Sequence, residues 1–142
     1  MKVRSTALFQ AQFPEDDHIE EDGEIIQFGG RNVADALAAT LNSQGFTTTK
    51  PEHEGHYGWT FYAAKHKVEI WLKVQLIDDT ENYLSTEMRE GLFSREKRRE
   101  VYAEALRVLS AGMKADARFT GVLWHTDRMP RGEVGWTEPD HP

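Results

Sequence analysis

An α+β fold, a mainly antiparallel sheet with two helices packed on one face, is what this sequence predicts, and three observations carry it. Within Tyr57–Leu76, two alternating stretches follow one another across a short gap. Residues 33–43 and 95–112 each carry a helical apolar stripe. The strands come in hairpins and meanders rather than in alternation with helices, which argues against a parallel sheet.

Residues 3–13 alternate. Val3, Ser5, Ala7, Phe9, Ala11 and Phe13 share one parity, and polar residues dominate the other, the pattern of a strand with one wet face. Pro14 ends it. Residues 15–24, EDDHIEEDGE, hold seven acids and no Lys or Arg. Glu24–Phe28 reads as a short second strand, which makes the acidic block the tip of a long hairpin loop. After Gly29-Gly30, Asn32 is the expected N-cap of a helix over Val33–Ser43. Asp35 then falls in its first turn, and Val33, Ala36, Leu37, Thr40 and Leu41 form its buried stripe. Gly45 suits the left-handed position past the helix end. Phe46–Lys50, rich in Thr, reads as a short strand stopped by Pro51, and residues 51–56 as a loop.

The hairpin follows. From Val68, every second residue is aliphatic: Val68, Ile70, Leu72, Val74 and Leu76. Tyr57, Trp59, Phe61 and Ala63 share the preceding parity. Because Lys65-His66 lacks Asn-Gly turn chemistry, a four-residue loop over 64–67 is expected. That sets Ala63 opposite Val68, Phe61 opposite Ile70, Trp59 opposite Leu72 and Tyr57 opposite Val74. Residues 78–93 are polar, with one helical turn expected near Tyr83–Met88. A second helix is expected over Arg95–Gly112, capped by Ser94, with Val101, Tyr102, Ala105, Leu106, Leu109 and Met113 as its stripe. Phe119–Thr126 is the last expected strand. The order is β-β-α-β-β-β-α-β, with residues 1–126 as one domain and 127–142 as an irregular C-terminal tail anchored by Trp136.

Composition sets further bounds. A chain of 142 residues suffices for one self-standing core. Cysteine is absent, so disulfides and thiolate chemistry are excluded. No secretory h-region opens the chain and no apolar run approaches a membrane span, so a cytoplasmic protein without membrane contact is expected. The net charge of −7 is local, because subtracting the seven acids of residues 15–24 leaves zero.

No motif points firmly to catalysis. His53 and His56 lie three apart in EHEGH, whereas a zincin helix needs histidines at i and i+4. A loop site would need a third ligand, for which His125 is the candidate. Asp78, Asp79 and Glu81 follow the long strand, but general acid–base work needs one carboxyl desolvated, and adjacent acids in a polar loop are ordinarily solvated. No serine lies in a nucleophile elbow, and Gly29-Gly30 lacks the further glycines of a dinucleotide fingerprint. No cofactor is expected. Arg95, Lys97, Arg98 and Arg99 oppose the dipole at the start of the second helix, with Glu96 and Glu100 as partial compensation. They give nucleic acid a foothold in a chain that is not basic overall, so this partner ranks third.

The outer parity of the hairpin holds Tyr62 and Trp71 beside Lys73, a composition enriched in interface cores. Either a partner covers it or residues 127–142 fold back over it. The expected function is therefore binding of another protein, or self-association, through this face and through acids such as Asp16, Asp17, Glu20 and Glu21. An immunity- or antitoxin-type inhibitor is one concrete version. The alternative is a small-ligand or metal-dependent site near His53, His56 and His125.

Overall fold

The structure is a computed structural model that describes residues 2–14, 17–23, 25–27, 29–54, 58–77, 81–89, 95–126 and 135–141. Its elements in chain order are β1 (Lys2–Val3), β2 (Thr6–Ala11), β3 (His18–Ile19), β4 (Ile25–Gln27), α1 (Arg31–Ser43), β5 (Thr47–Thr48), β6 (Glu52–His53), β7 (Trp59–Lys65), β8 (Val68–Leu76), β9 (Glu81–Met88), α2 (Arg95–Ala115), β10 (Phe119–His125) and β11 (Asp140–His141). Seven of the strands form one antiparallel sheet in the order β10-β2-β9-β8-β7-β5, with β6 also paired to β7. The predicted α+β class and the order of its predicted elements are those of the structure.

Both helices pack against one face of this sheet and against each other. The aliphatic parity of β8 makes that face: Val68, Ile70, Leu72 and Val74 are buried with Phe61 and Trp59 of β7, Ala7 and Phe9 of β2, and Trp124 of β10. Leu37 and Leu41 of α1 and Leu106, Leu109 and Met113 of α2 close the core from above. Gly112 lets the helices approach, since a side chain there would strike Thr40. Trp124, fully buried, has its indole N–H directed to the Ser110 hydroxyl at 3.3 Å, which satisfies the one polar atom that its burial strands.

The hairpin register differs from the expected one by two residues. Phe61 pairs with Leu72, Ala63 with Ile70, and Lys65 with Val68. The turn is the two-residue His66-Lys67, with φ of 52° and 63°. Positive φ at both positions is the geometry of a type I′ turn, whose twist matches that of the strands. A shift of two preserves the faces, so the core assignment is unaffected.

Other elements differ locally. α1 begins at Arg31, not Val33, with Gly30 in the cap position at φ 118° and Gly30 C=O accepting from Ala34 N–H at 2.9 Å. Asn32 instead donates its side-chain amide to the Pro14 carbonyl at 3.0 Å, and Asp35 lies past the first turn. Gly45, at φ 89°, takes the left-handed position as expected. The expected loop at 51–56 contains β6, which pairs with β7 through Glu52 and Thr60. The acidic block is not a bare loop tip, for β3 within it pairs with β4. Residues 81–88 form no helical turn but an inner strand, β9, between β2 and β8. Its Asn82, Ser85 and Thr86 are buried, which explains why the segment reads as polar and irregular. The proposed cap Ser94 lies outside the described residues.

The chain end returns to the body. Trp136 exchanges backbone hydrogen bonds with Trp124 at 2.7 and 2.9 Å, and β11 pairs with β1. Asp140 meets Arg107 of α2 at 3.1 Å, and Glu138 pairs with Lys114. The segment 135–141, read from sequence as an irregular tail, thus lies along β10, β1 and α2.

Candidate interaction surfaces

The outer face of the sheet is built by the parity that β8 turns away from the helices. Tyr62 and Trp71 are direct cross-strand partners, and Trp71 is in turn opposite Glu87 of β9. Together with Met88 and Arg89 they line an open groove of about 550 Å³. Tyr62 is 36% exposed and Trp71 half-buried. Each ring carries a cation: the Arg89 guanidinium is 5.1 Å from the Tyr62 centroid and the Lys73 ammonium 5.7 Å from that of Trp71. Arg89 is held by Glu69 at 3.1 Å. Such exposed pairs contribute little to stability, at most about 1 kcal/mol each.

Trp136 does not cover this groove. It bridges Trp124 on the far side of β10, and β10, β2 and β9 lie between it and β8, so roughly four strand spacings, ~19 Å, separate Trp136 from the strand of Trp71. Trp136 is 55% exposed, and its indole stacks on Arg4 at 4.3 Å.

The acidic surface is the ribbon β3–β4 and its turn. Asp17, Glu20, Glu21 and Asp22 are all exposed, and the turn closes through Gly23 N–H to the Glu20 carbonyl at 2.9 Å. Gly23 has φ 87° with open space around it. Asp16 lies outside the described residues. The ribbon leaves the body at Pro14, beside the start of α1, where Gly30 abuts Trp59 and Val74. Tyr62 sits three residues along β7 from Trp59, about 10 Å away and on the other face. The structure therefore gives two patches rather than one continuous site.

The histidine trio is not assembled. His53 belongs to β6, with its ring 5.2 Å from that of Trp59. His125 belongs to β10 at the opposite edge of the sheet. With β2, β9, β8 and β7 between them, the two stand roughly 24 Å apart, whereas nitrogens on one zinc ion lie within about 4 Å. His56 lies outside the described residues, as do Asp78 and Asp79. Glu81 opposes Gln10 in the sheet. Among the described residues no group of three His, Cys, Asp or Glu could hold a metal ion. In the basic run of α2, Lys97 borders a groove that it shares with His66, Glu100, Glu104 and Arg107, so acids interrupt its positive charge. Glu104 also binds Lys65 at 2.6 Å. Among the described residues no helix is long and apolar enough to cross a membrane.

Sequence reasoning missed a second feature of the outer face. One row across the sheet reads Thr60, Lys73, Ser85, Thr6 and His125. Thr60, Ser85, Thr6 and His125 in it are buried. Two positions before Thr6, Arg4 is only 5% exposed. Its backbone N–H donates to Pro139 C=O at 2.6 Å and its guanidinium to Glu138 C=O at 3.1 Å. The one signal in the sequence is that Arg4 and Thr6 stand on the polar parity of an otherwise amphipathic strand.

The turn after α2 holds a close ion pair. There Asp116 accepts the side chain of Arg118 at 2.7 Å and its backbone N–H at 3.0 Å, which holds the Asp116 carboxyl below its ordinary range. Arg118 rests on the Phe13 ring at 4.4 Å.

No protein-family model matches the chain, and neither a curated protein nor a solved structure matches it. The fold and these surfaces define it as an α+β domain with an aromatic groove on its sheet and a separate acidic ribbon.

Proposed function

We propose that the protein acts by binding another protein in the cytoplasm, one with a basic surface, in the manner of an immunity- or antitoxin-type inhibitor. The observation that carries this reading is the cross-strand pair Tyr62–Trp71, which lies in an open groove with Glu87, Met88 and Arg89. Aromatic rings in a concave setting, ringed by charge, are the usual anchors of a protein interface. The acids of the β3–β4 ribbon supply the second ingredient. Four exposed carboxylates on one short ribbon create a field that attracts a basic partner before contact. The ribbon thus governs the rate of encounter, and the groove governs how long the complex lasts.

The test has two arms. The partner retained by the protein from extracts of its native host is identified and purified, and its binding kinetics are measured. Neutralising the ribbon with Asp17→Asn, Glu20→Gln, Glu21→Gln and Asp22→Asn is expected to lower the association rate by about tenfold or more at low salt and by less at high salt. Tyr62→Ser with Trp71→Ser is expected to raise the dissociation rate by a similar factor. Unchanged kinetics in both variants would refute the proposal. A wild-type protein that sediments as a dimer, and a Trp71→Ser variant that sediments as a monomer, would replace the foreign partner with a second copy of this chain.

A further inference from the structure

We propose that Arg4 and Thr6, under the returning segment 135–141, form a binding site for a small oxyanion. Three observations place it. Arg4 is only 5% exposed, and none of the ion pairs among the described residues gives it a carboxylate. Among the described residues its side chain meets one carbonyl, that of Glu138, and the face of the Trp136 indole, and its Nε has no hydrogen-bond partner. Two positions on, Thr6 is fully buried and its hydroxyl has no partner among the described residues either. Opposite Thr6 stands His125, 4% exposed.

A buried cation is ordinarily matched by an anion, and a buried hydroxyl by a hydrogen bond. A carbonyl and an indole face leave the positive charge of Arg4 uncompensated. One oxyanion answers both needs, because it brings a full negative charge to the guanidinium and an acceptor to the Thr6 hydroxyl. The segment 135–141 completes the enclosure: Glu138 and Pro139 hold Arg4 through their carbonyls, and Gly135 lies so close to Leu123 and His125 that a side chain could not be accommodated. Phosphate, sulfate and a carboxylate share the required chemistry. The site is distinct from the groove at Trp71 and from the acidic ribbon, so it stands or falls independently of the proposed function.

The test is thermal unfolding of the full chain in inorganic phosphate, sulfate or acetate, against chloride at matched ionic strength. At millimolar concentration one of these anions is expected to raise Tm by about 3 °C or more. Response to phosphate or sulfate alone identifies a tetrahedral ligand, and response to acetate a carboxylate. Thr6→Val separates a ligand site from a merely structural one. Removing an unsatisfied buried hydroxyl leaves Tm in chloride unchanged or higher, yet the rise with the anion is expected to vanish. Arg4→Met, where it folds, is expected to lose the response as well. A wild-type protein indifferent to all three anions overturns the proposal, and so does a response that Thr6→Val retains in full.

Discussion

At Gly58 the backbone adopts φ 88°, and a side chain there would be driven into the carbonyl oxygen of Val74. Both obstacles are rigid, since one is a conformation that L side chains rarely adopt and the other is main chain in the central hairpin. Gly58→Ala is therefore expected to cost about 2–3 kcal/mol, lowering Tm by roughly 8 °C in a calorimetric scan. A second residue-scale effect concerns pH. The Asp116 carboxylate, bound to the Arg118 side chain and backbone, ionises below its ordinary range. A carboxyl depressed in the folded state contributes stability that is complete above its unfolded pKa and is lost as pH falls through the folded value. Wild type is thus expected to exceed Asp116→Asn in stability by a constant margin from pH 5 to 7. That margin should shrink below about pH 4, as followed by urea unfolding at each pH.

Among the elements, the β7–β8 hairpin shows what a sequence can and cannot express. Alternation in Val68–Leu76 assigned the faces, because the period of two follows directly from the pleat. Register was harder to read, because His66 and Lys67 adopt left-handed geometry without the Asn-Gly signature that announces it. Replacing them by His66→Asn and Lys67→Gly is expected to stabilise the fold by about 1 kcal/mol, seen as a Tm rise of roughly 3–5 °C. Strand β9 was illegible for a different reason. The Thr86 hydroxyl bonds Ser5 C=O and the Tyr102 hydroxyl, both at 2.7 Å, and both partners are remote in sequence. A local reading sees Asn82, Ser85 and Thr86 only as polar residues in a polar stretch. That omission also hid half of the groove. Tyr62 and Trp71 are readable from parity on two strands, while Glu87, Met88 and Arg89 enter only with the third strand and the residue that follows it. The same limit applies to Arg4, whose contacts lie more than a hundred residues away in the chain.

For the whole molecule, the architecture separates tasks by face. The helices seal one side of the sheet, and every aliphatic position of β8 from Val68 to Val74 serves that core. The opposite side carries the groove near the hairpin turn and the buried polar row toward β10. The acidic ribbon departs from the end of the hairpin remote from its turn. On the proposed reading, attraction by the ribbon and anchorage by the groove are separable in one partner, the first sensitive to salt and the second not. The most direct test places a photo-crosslinking amino acid at position 71, with position 98 on α2 as the comparison, and irradiates the protein in extracts of its native host. A single partner captured at position 71, with a yield that falls when Asp17, Glu20, Glu21 and Asp22 are neutralised, is the predicted result. Capture at position 98 with none at position 71 would contradict the account and move the binding surface to the basic run of α2.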